Sequence, residues 1–400
     1  MSLKHTVIDL FAGCGGLSLG LHKAGWKGLF AVEKNPDAFK TLKHNLLDRE
    51  KHFSWPKWLP KTPHDINELL AKYEDELKSL QGKVDLVAGG PPCQGFSMAG
   101  KRQEKDLRNQ LVFSYIKFIE LVRPKILLFE NVKGFTCSFS RQKDSVPYSA
   151  IVKQRLEDLG YGVHSFIFDF SHYGIPQRRN RFILVGVQGA AANELDEFRS
   201  LIEKAKDKFL AEKGLTSNTS VQDAIADLKR SNGETDTPDR KGFLSGLYGQ
   251  ARTPYQRLMR EGMSDDITIP NSHSFARHGV QTISLFNRVI AEVPHGKRMS
   301  AEDRKEWGIG RRSLNILDAN SQAATLTSNP DDLLHYSEPR ILTVREYARI
   351  QSFPDWYEFK AKYTTGGVLR RIEVPRYTQI ANAVPPLFAE LAGLVLKKYL

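Results

Sequence analysis

Cys93 stands in the stretch Gly89-Gly-Pro-Pro-Cys-Gln-Gly-Phe-Ser97, behind two prolines and ahead of a Gln-Gly pair. Its neighbours leave two readings open. One is a small buried thiol near a turn, because free cysteine packs as a small hydrophobe. The other is a nucleophile at the end of a strand, with Pro91 and Pro92 stiffening the backbone that aims the sulfur. Other clusters could serve the second reading. Glu130-Asn131-Val132 closes an apolar run with a carboxyl that can move a proton. Gln177-Arg-Arg179-Asn-Arg181 offers guanidinium forks, or else a solvated basic cluster, although Arg181 leads directly into an apolar run.

A ligand end is also visible. Asp9-Leu-Phe11-Ala12-Gly13-Cys-Gly15-Gly16 lies where a first strand turns into a first helix. Glycines there let a ligand approach the backbone, and the helix start offers free N–H groups. Glu33 follows Gly13 by about twenty residues, where an acid grips ribose hydroxyls in folds of this kind. A plain turn fits the glycines too. Ser18 replaces the third glycine of G-x-G-x-x-G, which argues against a dinucleotide pyrophosphate. Asp65-Ile66 reads either as a contact near an adenine or as a helix cap.

The elements that must position these groups alternate. Strand signals cover residues 6–10, 28–33, 83–88, 125–129 and 181–187, and helix signals cover 17–24, 37–47, 109–122 and 151–159. This alternation predicts an α/β fold with a doubly wound parallel sheet. Texture changes after Gln188. Residues 190–211 are helical and charged, and 217–252 are rich in Ser, Gly, Thr, Asp and Lys without sustained period. Order returns in a helix over 343–352 and a last helix over 385–399. The expected division is a catalytic and cofactor domain over 1–189, an irregular second domain over 190–339, and a return segment over 340–400.

The bulk numbers agree with this plan. A chain of 400 residues exceeds what one core usually holds, so two domains are expected. Hydrophobic content of 40% and charged content of 26% are ordinary for a globular protein, and no apolar run is expected to span a membrane. Three widely spaced cysteines, Cys14, Cys93 and Cys137, fit neither a disulfide framework nor a metal site. Reduced thiols in a cytoplasm are the expectation. A net charge of +12 suggests a polyanionic partner, most often nucleic acid.

Taken in order, these pieces resemble the cytosine-5 DNA methyltransferases of bacteria. D-L-F-A-G-C-G-G resembles that family's S-adenosyl-L-methionine loop, G-G-P-P-C-Q-G-F-S its nucleophile segment, E-N-V its base-holding motif, and Q-R-R-N-R its Q-x-R-x-R. Residues 340–354 resemble the segment that supports the recognition domain. Gln379-Ile-Ala-Asn382-Ala383-Val384 resembles the late segment that closes the cofactor pocket, with Ala381 where the family usually carries glycine. Residues 190–339 have no match and correspond to the variable target-recognition region.

The resemblance implies a Rossmann-like methyltransferase fold, a mixed and mostly parallel sheet, with a smaller irregular target-recognition domain. It implies that Cys93 adds to cytosine C6, that Glu130 serves N3, that Arg181 holds O2, and that Arg179 positions Glu130 or a phosphate. Gln94, Ser97 and Asn131 would contact the base. Phe11, Ala12, Gly13, Gly15, Gly16, Glu33, Asp65, Ile66, Pro92, Asn382 and Ala383 would form the cofactor pocket, with Phe11 against the adenine. The polar, basic stretch 98–108 reads as a loop closing over a flipped base or as a solvated loop. Implied with these are double-stranded DNA as substrate, S-adenosyl-L-homocysteine as by-product, and no metal. A monomer in the cytoplasm at the nucleoid, sometimes paired functionally with a restriction endonuclease, is the further expectation. Three rival readings stand beside this one. They are a tRNA C5-methyltransferase, a DNA-binding module that has lost activity, and a nicotinamide dehydrogenase.

Overall fold

The computed structural model describes residues 5–92, 110–137, 146–195, 197–310, 313–365, 369 and 372–400. Two compact units divide the chain: residues 1–169, 180–206 and 388–400 form the first, and residues 170–179 and 207–387 the second. These limits differ from the sequence expectation. Residues 340–387 fall within the second unit, 190–206 within the first, and the Gln177–Arg181 motif is cut at Asn180. The reason is contact density, which a change in composition after Gln188 does not reveal.

The first unit is built on a six-stranded sheet. Its strands are β1 (Thr6–Leu10), β2 (Lys27–Val32), β3 (Leu86–Gly89), β4 (Ile126–Val132), β5 (Tyr161–Asp169) and β6 (Asn180–Gln188), in spatial order β2-β1-β3-β4-β6-β5. β1 pairs in parallel with β2 and β3, and β3 with β4. β6 runs antiparallel to both β4 and β5. The central strands are short apolar runs because both faces are covered: Ile8, Val87, Leu127 and Phe129 are completely buried. The parallel arrangement carries the C-terminal ends of β1 to β4 to one edge, and that edge is where open α/β sheets place ligands.

Sequence reading located five of the six strands. It passed over β5, whose Tyr-Gly-Val-His-Ser-Phe-Ile-Phe-Asp run lies at the edge of the sheet and is half-exposed through His164 to Ile167. The last apolar stretch also differs from expectation. Arg376–Tyr399 is long and apolar enough, by length and composition, to cross a membrane, but 78% of its most apolar window is buried inside the protein, as in a core helix.

The second unit has little sheet. Its ladders are Glu234–Asp236 against Leu244–Gly246, antiparallel, and Asn315–Ile316 against Leu333–Leu334, parallel. Phe286, Val289, Leu314, Ile316 and Leu334 pack into one apolar cluster. The helix Val344–Ile350 is buried on every side. Thr343 and Glu346 close its start as a capping box. Its charges are matched within the unit. Arg340 holds Glu346 through two hydrogen bonds of 2.8 and 2.7 Å, and Arg349 bridges Asp355 (2.7 Å) and Asp227 (2.6 Å).

Candidate active site

At the end of β1 the chain turns sharply. Phe11 has φ +56°, Gly13 +56° and Gly15 +90°. Gly13 faces open space, with nothing within 4 Å of where a Cβ would stand. The Gly13 N–H donates to Glu33 Oε2 at 2.8 Å, and the Asn35 N–H to Glu33 Oε1 at 2.7 Å. Burial pushes the Glu33 carboxyl above its usual range against the pull of these bonds. The helix Gly16–Lys23 starts at Gly15 without a side-chain cap, and Ala12 donates its N–H to Val32. The glycine loop and the acid that follows β2 are therefore held together.

Asp65 caps the helix Ile66–Lys72 through the N–H of Asn67 at 2.8 Å, and its other oxygen pairs with Lys34 at 2.8 Å. The cap reading is thus correct as a description of this carboxylate. Burial works against its ionised form, but Lys34 and the capping N–H groups outweigh that and hold it below the usual range. Ile66 is buried at the first position of the helix.

Sequence reasoning did not single out Asp9. Its side chain is 1% exposed at the end of β1. Ser18 donates to one oxygen, while Oδ1 is buried without a hydrogen-bond partner among the described residues. Burial, with Glu33 adding to it, pushes this carboxyl up to about 7. The signal available in the sequence was an acid inside an otherwise apolar strand.

The second cluster forms across β3, β4 and β6. The antiparallel register sets Glu130 opposite Ile183 and Val132 opposite Arg181. Arg181 Nε reaches Glu130 Oε1 at 2.9 Å, and both side chains are only 13% exposed. Burial lowers the Arg181 guanidinium from its usual range, and Glu130 opposes that shift. Gly90 passes directly against the carboxylate, since a Cβ there would lie 2.9 Å from Glu130 Oε2. Asn131, 3% exposed, donates its amide to the Pro91 carbonyl at 3.1 Å. The backbone that leads into Cys93 is therefore fastened beside Glu130. Pro92 is exposed. Cys93, Gln94, Ser97 and the stretch 98–108 lie outside the described residues.

The other sequence-predicted residues belong to the second unit. Arg179, 1% exposed, donates to the Ala383 carbonyl at 3.3 Å, and Gln351 donates to the same oxygen. Gln177 in turn donates to Gln351 and accepts from the Leu326 N–H at 3.1 Å. The described bond of Arg179 thus runs to a backbone carbonyl. Asn382 ends the helix Arg376–Asn382 and is exposed. Cys14 is buried and burial pushes its thiol well up, so it is not poised as a thiolate. Cys137 is exposed. Among the described residues no cluster of three His, Cys, Asp or Glu side chains could hold a metal.

A mostly parallel sheet with one antiparallel strand, a glycine loop and an acid at adjoining strand ends defines a methyltransferase-like α/β protein. The chain belongs to the C-5 cytosine-specific DNA methylase family, whose model matches residues 5–398. It is similar to Type II methyltransferase M.DdeI of Desulfomicrobium norvegicum, at 30% identity over 96% of this chain and 86% of the relative. It is also similar to M.PspPI of a Psychrobacter species, at 32% identity over 98% of this chain and 79% of the relative. In fold it resembles a protein from E. coli assigned as a prophage-encoded DNA modification methyltransferase, with TM-score 0.68, 22% identity and 99% of both chains covered. A second likeness is the S. pombe Dnmt2 methyltransferase, with TM-score 0.52, 16% identity and 99% of both chains covered. The protein is a DNA cytosine C5-methyltransferase and works with a methyl-donor cofactor. This sets aside the dehydrogenase reading.

Proposed function

We propose that Cys93 is the nucleophile, that Glu130 and Arg181 hold the target cytosine, and that S-adenosyl-L-methionine is the methyl donor. The observation that carries the reading is the fastening of residues 90 and 91 against the Glu130–Asn131 pair, with Arg181 at 2.9 Å from the carboxylate. Chain stiffened by two prolines and anchored two residues ahead of the sulfur limits where a thiolate can go, and such positioning is worth up to roughly 7–11 kcal/mol.

The chemistry then runs through this chain's own groups. The Cys93 thiolate forms a bond to C6 of a cytosine turned out of the duplex. The C5–C6 π electrons move toward N3, where Glu130 delivers its proton, and Arg181 holds the carboxylate and the base O2. C5 becomes nucleophilic and gains the methyl group. Water takes the C5 proton, the Sγ–C6 bond breaks, and the proton on N3 returns to Glu130. The ring ends as 5-methylcytosine and the thiolate is regenerated. In this reading Asn131 acts by positioning the Pro91 backbone.

The residues at the β1 and β2 ends fit the cofactor. Gly13 leaves open space beside the backbone, Glu33 is held in place for ribose hydroxyls, and Asp9 Oδ1 is a buried acceptor without a donor among the described residues. When bound, S-adenosyl-L-methionine supplies an electrophilic methyl group on a sulfonium. Phe11, Ala12, Gly15, Gly16, Asp65, Ile66 and Pro92 complete the part of the proposed pocket that the first unit carries. The Type II names of the relatives support a role in protecting DNA from a cognate restriction endonuclease.

The test is a covalent trap. DNA carrying 5-fluorocytosine at the target cannot lose the C5 substituent as a cation, so the adduct persists after methyl transfer. Peptide mapping is expected to place it on Cys93, and Cys93→Ser is expected to abolish it while keeping DNA affinity. An adduct on Cys14 or Cys137, or turnover by Cys93→Ser, overturns the assignment.

A further inference from the structure

A stack of charged and aromatic side chains lies in the second unit and includes none of the residues assigned above. It begins in the hairpin formed by Glu234–Asp236 and Leu244–Gly246. The connecting turn, Arg240-Lys-Gly-Phe243, closes through Phe243 N–H to Arg240 C=O at 3.2 Å, and Gly242 takes φ +78° at its third position. That conformation favours glycine. The turn brings the Arg240 guanidinium over the Phe243 ring at 3.6 Å, and Arg277 covers the same ring at 4.6 Å. Arg240 also lies 4.9 Å from the Tyr363 ring, which Arg376 covers at 4.3 Å. Arg277, Phe243, Arg240, Tyr363 and Arg376 thus alternate cation and ring.

The three guanidiniums are not equivalent. Arg376 is buried and its donors are spent on the Ala361 carbonyl (2.9 Å), Ser272 Oγ (2.9 Å) and Asp239. Asp239 is also taken by the Tyr363 hydroxyl at 2.7 Å. Arg376 is therefore the structural foot of the stack. Arg240 is half-buried and Arg277 exposed, and among the described residues neither has a carboxylate within salt-bridge distance or a side-chain hydrogen bond. Burial pulls Arg240 below its usual range, and the neighbouring Asp239 carboxylate offsets that only in part. A hollow of about 470 Å³ opens beside it, lined also by Asp239, Ala361, Lys362, Tyr363, Thr364 and Arg376, with the Asp239 carboxylate engaged by Arg376 and the Tyr363 hydroxyl. Lys362 shares its charge with Glu373.

We propose that Arg240, with Arg277 beside it, is a docking point for the sugar-phosphate backbone of the DNA substrate. Both rings already carry guanidiniums, which leaves poor room for a base to stack. What the stack still offers is the in-plane N–H edges of two cations, and those edges match the oxygens of a phosphodiester. Stacking also holds Arg240 in one conformation before binding, so little side-chain freedom is lost when a phosphate arrives. Two cations across one ring, neither in a salt bridge among the described residues, suit a polyanion better than the neutral edge of a base.

The experiment measures binding of the full chain to short duplexes of unrelated sequence by fluorescence anisotropy over a series of KCl concentrations. Arg240→Gln is expected to weaken all duplexes by a similar factor, about three- to tenfold. It should reduce the slope of log affinity against log salt by about one, the signature of a lost phosphate contact. The exposed Arg277→Gln, which perturbs folding least, is expected to weaken binding less but also to reduce the slope by about one, and the double variant to reduce it by about two. S-adenosyl-L-methionine affinity, measured by calorimetry, is expected to stay at the parent value in each and shows that the chain is folded. An unchanged salt slope in Arg277→Gln and Arg240→Gln overturns the proposal. So does a loss confined to one duplex sequence, because that is base reading.

Discussion

The two units bury carboxylates in opposite ways. In the first, Asp9 is buried and Glu33 half-buried at strand ends, with no cation within salt-bridge distance among the described residues, and loss of solvation pushes both carboxyls up, Asp9 to about 7. In the second, Asp355 is as deeply buried, yet Arg349 and Arg345 outweigh the cost of burial and hold it below the usual range. Arg349 is raised in return, its two carboxylates overcoming the opposing effect of burial. A chain stabilises itself by matching buried charges, so charge left unmatched invites a ligand. The second unit also needs its guanidiniums for a different task. Its ladders are only two or three residues long, so loop carbonyls must be satisfied by side chains. Arg345 donates to the carbonyls of Asn271, Pro354 and Tyr357, and Arg349 to that of Ala224.

The contrast is sharpest at Glu130, a largely buried carboxylate of the first unit that is paired with a cation. If its pairing with Arg181 were purely structural, Glu130→Gln would cost stability and leave chemistry intact. As the proton donor to N3 it is instead expected to lower the single-turnover methylation rate by about 10²–10⁴-fold, with duplex affinity nearly unchanged. A rate within a factor of about three of the parent would return Glu130 to a structural role.

In the second unit the expected loss is stability. Arg349→Met removes the cation that Asp227 and Asp355 share, leaving Arg260 on the first and Arg345 and the Tyr248 hydroxyl on the second, and breaking buried pairs in this way costs about 3–5 kcal/mol. Hydrogen exchange read by mass spectrometry separates the two units, and protection is expected to fall mainly over 207–387. The acid side follows from the sign of the Asp355 shift. Its folded value lies below the unfolded 3.8, so its contribution is present above that pH and is lost as pH falls through the folded value. In Arg349→Met that source of acid sensitivity is reduced, and the gap to the parent is expected to narrow below about pH 4. A gap constant with pH would show that the pair is not what holds the unit.

A smaller effect is expected in the cofactor pocket. Glu33→Ala removes a carboxylate that two backbone N–H groups hold in place, and should weaken S-adenosyl-L-methionine by about 1–3 kcal/mol in calorimetry. Unchanged affinity in a folded variant would remove Glu33 from the pocket.

Legibility from sequence followed the same division. The sheet could be read because its strands are short buried runs, and the site because Gly13, Glu33 and Glu130 sit at the ends of those runs. β5 escaped because an edge strand keeps polar residues. In the second unit, Thr-Val-Arg-Glu-Tyr-Ala-Arg-Ile looks like a partly solvated helix, yet every residue of it is buried. Its charges are neutralised by residues that no local pattern links to it, since Asp227 is 122 positions from Arg349. The Arg240 stack is hidden for the same reason, because its rings and cations come from four separate segments.

Asp9 offers the finest probe of the contrast. Its folded value of about 7 lies above the unfolded 3.8, so the folded state keeps a proton that the unfolded chain has lost. That contribution is full below 3.8 and is lost as pH rises through about 7, which makes ionised Asp9 a liability at neutral pH. Asn is nearly the same shape, can still accept from the Ser18 hydroxyl, and carries no charge. Asp9→Asn is therefore expected to gain on the parent as pH rises from about 4 to 7 and to level off above that. The gain should reach about 1 kcal/mol, or ~2–4 °C in melting midpoint, once the amide's own unmatched N–H is counted against it. Thermal melts of both proteins across this range are the measurement. A parallel pair of curves would mean that Asp9 is ionised throughout and matched by a partner, as the carboxylates of the second unit are.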